Sequence, residues 1–369
     1  MRIGFDAKRA FLNNTGLGNY SRDTIRILSK YYLKNDYFLY TPKVKESNRL
    51  DFINNSTNTH VKTPNIIGKI FHSYWRTKGI VKNLLKDKID IYHGLSHEIP
   101  LGIEHTNIKT IVTIHDLIFI RYPKLFKDID RKIYYKKFKS SCQRANLIIA
   151  VSKQTKKDII SFFNIESDKI KVIYQGCNNI FYKEIEKEKV REKYKLPKKF
   201  LLSVGNIEER KNLLTILKTL REIENQELVI VGNGKKYKNR CIEFIKKHNL
   251  NNRVYFLSNL NLKEIAAIYQ LAEIMIYPSI FEGFGIPILE ALTSKTPVIT
   301  SKDGCFSEAG GPNSIYINPL SVAEMKKAIL LIKNNKEVAS KMIKKGFLYS
   351  QKFTDEKVAN ELIKTYKSV

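Results

Sequence analysis

Short apolar runs rich in β-branched and aromatic residues recur along the chain, with amphipathic stretches of helical spacing between them. In the first half these runs are "RIGFDA", "DYFLYTP", "IDIYHG", "KTIVTIHD", "NLIIAVS" and "KIKVIYQG". Strand-like runs alternating with helical ones predict a largely parallel sheet with helices on its faces. From "FLLSVGN" a second series begins, with "ELVIVGNG", "RVYFLSN", "EIMIYPS" and "PVITS" as strands and "NLLTILKTLREI", "LKEIAAIYQLA" and "PILEALTSK" as helices. A second sheet is expected to follow the first.

Between the two series, residues 179–200 ("NIFYKEIEKEKVREKYKLPKKF") are charged, lack a strand pattern and end in a Lys-Leu-Pro break at Pro197. This segment reads as the hinge. A chain of 369 residues suits two cores better than one. The expected fold class is α/β, with two doubly wound, Rossmann-like lobes: 1–180 and 181–350, then a helix over 351–369 packing back toward the first lobe. In such folds ligands bind where loops leave the C-terminal ends of strands, here expected in a cleft between the lobes.

One post-strand loop is the most informative stretch. "FEGFGIPILEA" (281–291) follows the strand "EIMIYPS", breaks at Gly283 and Gly285, and resumes as a helix with Pro287 near its first position. Free N–H groups and the positive end of the helix dipole would make that terminus an anion site, and the glycines would let backbone approach a ligand. Glu282 stands before the turn and Glu290 about one turn inside the helix, with seven residues between them. Two carboxylates beside an anion cradle suit the hydroxyls of a nucleotide sugar. Either glutamate alone would be read as complementing the helix dipole. The whole string favours a ligand.

A second loop, in "LLSVGNIEERKNLLTIL", leaves its strand at Gly205 and carries Arg210 and Lys211. A forked guanidinium and an ammonium at a sheet edge suit a diphosphate and would stabilise charge developing on a leaving nucleoside diphosphate. The alternative is a solvated basic turn.

Other candidates are individually weaker. His115, with Asp116, closes "KTIVTIHD"; without further context it reads as a hydrogen-bonded core histidine. Gly16 and Gly18 in "NTGLGNY", expected to precede the helix "YSRDTIRIL", would admit donor phosphate or acceptor, or mark a plain turn. His93 and His97 in "YHGLSHE" follow a strand, lack the H-E-x-x-H order and have no evident third ligand, so zinc is rejected. No metal is expected.

Composition adds bounds. Lys plus Arg number 65 against 36 Asp plus Glu, a net charge of +29. That excess favours an anionic partner or reflects a lysine-rich composition, because the cations are spread through nearly every segment. Residues 131–145 ("RKIYYKKFKSSCQRA") interleave cations with Ile133, Tyr134, Tyr135 and Phe138. A stripe of this kind is expected to pack on its own sheet, with an anionic bilayer or nucleic acid as the alternative. Cys142, Cys177, Cys241 and Cys305 lie far apart and are expected to be reduced structural thiols. The start "MRIGFDAKRA" lacks the apolar core of a signal peptide, and no run approaches a spanning helix. A cytoplasmic protein is expected, with peripheral contact at the inner membrane face.

Together, "FEGFGIPILEA" and "VGNIEERKN" resemble family 4 of the retaining GT-B glycosyltransferases, the group 1 transferases. "RIGFDAKRAFLNNTGLGNYSRD" is similar to that family's first strand and glycine loop, "NLIIAVSKQTKKDI" to its mid-chain strand and helix, and "CFSEAGGPNSIYINP" to the segment after its donor site. The resemblance implies a GT-B fold, retention at the anomeric carbon and no metal or other cofactor. It sends Glu290 to the donor ribose, Glu282 to the donor sugar, Gly283, Phe284, Gly285, Ile286 and Pro287 to sugar and phosphate, and Arg210 with Lys211 to diphosphate. His115 falls where similar enzymes approach the transferred sugar. Asn206 stands where some members carry a cation, and Gly310 and Gly311 add a glycine near the donor site.

The expected activity is hexosyl transfer from a nucleotide sugar, GDP-mannose being favoured by likeness to mannosyltransferase-like members, including "SYWRTKGIVKNLLKDKIDIYHGLSHEIPLGI". The expected acceptor is a saccharide or lipid-linked saccharide of surface polysaccharide synthesis, and lobe closure would exclude water. The competing reading is a basic α/β protein that binds nucleic acid or membrane without transferase activity. No recognition motif for nucleic acid is found, so no nucleic-acid partner is expected.

Overall fold

The computed structural model describes residues 1–45 and 47–369. The chain divides into two compact units, residues 1–176 with 355–369, and residues 177–354.

The first unit is built on seven parallel strands: β1 (Arg2–Asp6), β2 (Asp36–Tyr40), β3 (Thr59–Lys62), β4 (Ile91–Gly94), β5 (Lys109–Ile114), β6 (Leu147–Ala150) and β7 (Ile170–Val172). Their order is β3-β2-β1-β4-β5-β6-β7. Ile3 of β1 lies opposite both Tyr37 and Ile91, fixing β1 between β2 and β4. Side chains alternate between two buried layers: Val112, Ile114, Ile148 and Ala150 enter one, and Ile111 and Ile149 the other. Helices on both faces make strands that are apolar at nearly every position.

The second unit has six parallel strands: β8 (Leu201–Val204), β9 (Leu228–Val231), β10 (Val254–Leu257), β11 (Ile274–Tyr277), β12 (Val298–Ser301) and β13 (Ile315–Ile317). They run β10-β9-β8-β11-β12-β13. Each sheet therefore reverses direction beside its first strand, between β1 and β4 in one and between β8 and β11 in the other. Loops leaving those paired strands diverge and open a crevice.

Several expectations need correction. Strands β3 and β13, both at sheet edges, were not picked out: β3 ("THVK") holds one apolar residue, and β13 is only three residues long beside a glycine- and proline-rich stretch. The charged segment 179–200, read as the hinge between the lobes, lies within the second unit and is fastened to it. Gln270 donates to Lys183 O at 2.7 Å and accepts from Ile185 N–H at 3.3 Å, while Glu264 takes Lys193 at 2.7 Å and Tyr194 at 2.8 Å. In the helix Asp128–Arg144, Phe138 and Cys142 are buried, but Ile133, Tyr134 and Tyr135 stay exposed. The stripe packs by one edge, not along its length.

The terminal helix Asp355–Lys367 belongs to the first unit. Val358, Leu362, Ile363 and Tyr366 share a core with Ile25 and Leu28 of the helix Gly16–Tyr31. Arg26 grips Asp355 through both carboxylate oxygens, at 2.6 and 3.0 Å.

Candidate active site

At the reversal in the second unit, β8 and β11 are neighbours, with Leu201 opposite Ile274. After β8 the chain turns at Gly205 (φ +135°) and forms the short turn Glu209–Lys211 before the helix Leu213–Arg221. After β11 it runs through Pro278–Gly283 into the helix Ile286–Thr293. The N–H of Ile280 donates to Arg210 O at 2.8 Å, joining the two loops through backbone.

Their side chains converge on one oxygen. Glu282 Oε1 accepts from Lys211 Nζ at 2.5 Å, Ser279 Oγ at 2.6 Å and Tyr277 OH at 3.0 Å, and forms an ion pair with Arg210 Nη1 at 2.6 Å. Arg210 also donates to Phe281 O and Glu208 Oε1, each at 2.6 Å. Lys211 bonds Tyr277 OH and sits 4.6 Å from the centre of its ring. Burial would raise the Glu282 carboxyl, but Lys211 and Arg210 outweigh it and hold it down at about 2. Burial pulls Lys211 below the usual lysine range, with Glu282 opposing.

The helix that follows starts at Ile286, with Gly285 (φ +105°) as its cap. It offers fewer amides than expected: Pro287 has none, and Ile288 N–H is spent on Gly285 O at 2.9 Å. Ile286 is half-buried, and the Phe284 ring is buried 5.8 Å from Phe353. The Phe284 ring is thus committed to the core, and only its backbone is open to a ligand role. Glu290, half-buried, accepts from the buried Tyr269 OH at 2.9 Å.

Three parts of this site were not picked out from sequence. Tyr277 and Ser279 orient Glu282: Tyr277 ends β11, where it passes for a β-former, and Ser279 lies two residues on in the loop, where it passes for a turn residue. Cys305, read as a structural thiol, donates to Glu282 O and Phe284 O at 3.2 Å each and staples the glycine loop. Burial lifts its pKa well above the thiol range, so it remains a donor.

In the first unit His115 follows β5 and is buried. Its Nε2 lies 2.9 Å from Leu95 O, which fixes the proton there, and Nδ1 faces Gln175 Nε2 at 3.4 Å. Burial lowers its pKa to about 4. Tyr20 packs edge-on at 4.5 Å and His97 at 5.1 Å. His93 is committed to Tyr366 OH at 2.7 Å and Thr113 Oγ1 at 2.8 Å, a structural role. His97 stacks on Phe138, and its Nδ1 and the neighbouring Ser96 Oγ are buried without partners. Among the described residues no three His, Cys, Asp or Glu side chains are grouped to hold a metal.

Gly16 and Gly18 do not precede a helix but form its first turn. A Cβ on Gly18 would stand 1.9 Å from Asn13 O, so this glycine admits its own backbone and not a ligand. At Gly16 the space is open.

The family described as glycosyl transferases group 1 matches residues 184–367, and glycosyltransferase family 4 matches residues 15–179. The O-antigen chain mannosyltransferase RfbU of Salmonella typhimurium is 31% identical over 252 residues, 67% of this chain and 65% of the relative, somewhat under two thirds of its length. The O-antigen chain mannosyltransferase B of Escherichia coli is 25% identical over 293 residues, 77% of this chain and 76% of the relative. Among solved structures, Anabaena HepE in complex with UDP-glucose shares the fold with a TM-score of 0.78 over 100% of both chains, at 17% identity.

Proposed function

Because this chain belongs to the glycosyl transferases group 1 family, we propose that it transfers a hexosyl group, with retention, from a nucleotide sugar to a saccharide or lipid-linked saccharide hydroxyl. The observation that carries this reading is the meeting of Arg210, Lys211 and Glu282 at the β8/β11 reversal. The cations suit a diphosphate. Contacts to Glu282 fall on Oε1, leaving Oε2 for a sugar hydroxyl. Glu290, oriented by Tyr269, suits the ribose.

In the proposed reaction the bond between the anomeric carbon and the donor phosphate oxygen breaks, and Arg210 and Lys211 stabilise the charge left on the diphosphate. The acceptor oxygen bonds to the anomeric carbon from the same face, and its proton passes to the departing phosphate oxygen. No side chain is assigned as nucleophile. His115, neutral near pH 7, would accept a substrate hydroxyl at Nδ1.

The names of the relatives support mannosyl transfer in O-antigen chain synthesis, and the proposed donor is GDP-mannose. A lipid-linked acceptor would place the protein against an anionic membrane face. No helix among the described residues is long and apolar enough to cross a membrane.

The test is a thermal-shift panel of GDP, UDP, ADP, dTDP and their sugars. Stabilisation by GDP and GDP-mannose alone, lost in Glu290→Ala, is expected. Selective response to UDP would reject the donor, and silence toward every nucleotide would reject the transferase reading. Retention is read from the anomeric configuration of the product by NMR.

A further inference from the structure

Two elements of the first unit leave large apolar side chains in water. In the segment 66–74 Ile66 is 78% exposed, Ile70 70%, Phe71 63% and Tyr74 64%. In the helix Asp128–Arg144, Ile129 is 66% exposed, and Ile133, one turn on, is 45% exposed. Isolated exposed apolar residues are ordinary, but six on two neighbouring elements are not.

The elements are joined at Glu98, whose Oε2 lies 3.3 Å from both Arg76 and Lys137. Arg76 lies two residues beyond Tyr74 and Lys137 one turn beyond Ile133, so the two elements border one stretch of surface at this carboxylate. Its base is fixed: Trp75 is buried and donates to Asn83 at 2.9 Å, Leu101 N–H reaches Thr77 O at 2.7 Å, and Phe138 is buried behind the second helix.

This surface is also basic. Residues 63–86 carry five cations and no carboxylate, and residues 127–139 carry six cations against two carboxylates. Asp128, one of those two, is paired with Arg131 at 2.8 Å. Aliphatic tips ringed by lysines, with Tyr134 and Tyr135 half-exposed beside them, match the boundary between headgroups and acyl chains.

We propose that the 66–74 segment and the 128–144 helix form one docking face that seats the first unit on an anionic lipid bilayer. The inference rests on the proposed membrane-side role and names the face that performs it. A second copy of the chain would oppose like charges, and nucleic acid would leave the isoleucines without a partner.

The experiment is co-sedimentation of the full chain with vesicles of phosphatidylglycerol and phosphatidylcholine, and with phosphatidylcholine alone, at low and high salt. Wild type is expected to prefer the anionic vesicles by about tenfold or more and to keep a salt-resistant fraction. Ile70→Asp/Phe71→Asp and Ile133→Asp, all at exposed positions, are each expected to weaken binding by roughly tenfold. The same variants should melt as wild type and keep its nucleotide response, which separates this face from the donor site. Equal binding by wild type and variants would overturn the proposal, as would wild type showing no preference for anionic vesicles. A concentration-dependent dimer, seen by light scattering and dispersed by the same variants, would assign the face to self-association instead.

Discussion

Glu282 and Lys211, 71 residues apart in sequence, meet at 2.5 Å between carboxylate and ammonium. The family resemblance sends the first to a sugar and the second to a diphosphate, yet here each neutralises the other. A bound diphosphate would compete with the carboxylate for Lys211 and Arg210, and in doing so would turn Glu282 toward the sugar.

Replacing this carboxylate tests that competition. Glu282→Gln should destabilise the second unit by about 2–3 kcal/mol, because two largely buried cations lose their counter-ion. Added nucleoside diphosphate should then raise the melting temperature of the variant more than that of wild type. Equal shifts in both proteins would show that the carboxylate and the diphosphate do not share the cations.

Acid should act on the same pair late. With Glu282 held at about 2 against an ordinary value of 4.5, its contribution is full above about pH 4.5 and is lost as pH falls toward 2. The stability gap between wild type and Glu282→Gln should close over that window in denaturant titrations. A gap that is flat from pH 7 to 2.5 would contradict the depressed pKa.

The first unit should weaken at milder acidity. His115 and His93 are buried neutral, with pKa values lowered by burial to about 4 and about 3. Unfolding lets each bind a proton below about pH 6.5, so stability is full above that pH and declines as pH falls toward 4. Replacing one with Gln should flatten the decline by about 1.4 kcal/mol per pH unit. Denaturant midpoints between pH 7 and 4.5 would show it.

Gly16 and Gly18 should behave differently. Gly18→Ala drives a Cβ into the Asn13 carbonyl and should cost several kcal/mol, on the order of 3 or more, whatever the ligand. Gly16→Ala meets open space and should keep the melting temperature within a degree or two, about 0.5 kcal/mol. If Gly16→Ala also keeps full turnover, the glycine has no part in substrate approach.

The bidentate pair Arg26–Asp355 anchors the terminal helix, and Asp355 is buried. Arg26→Ala should cost about 3 kcal/mol and open residues 355–369 to proteolysis. Unchanged cleavage would mean that the apolar contacts of Val358, Leu362 and Tyr366 hold the helix alone.

Much of the second unit was legible because its signals are local. A buried parallel strand is an apolar run wherever it pairs, so β8, β9, β11 and β12 stand out, whereas β13, three residues long at a sheet edge, does not. Gly285 and Pro287 mark a loop-to-helix turn by their own backbone preferences. The fate of Ile133 and Tyr134 was not legible: cations alternating with aromatics look the same whether a helix buries them or leaves them in water.

From sequence alone came the two parallel α/β series, the glycine-and-proline turn into a helix, and the residue types suited to a nucleotide sugar, because propensity and periodicity act over a few residues. Tertiary structure alone decided that Glu282 lies on Lys211 and Arg210, that Cys305 staples the loop and that Gly18 faces Asn13. Those contacts follow from β11 crossing over to pair with β8, and from packing across a helix turn. Strand order is set by the whole buried core, so no local stretch of sequence carries it.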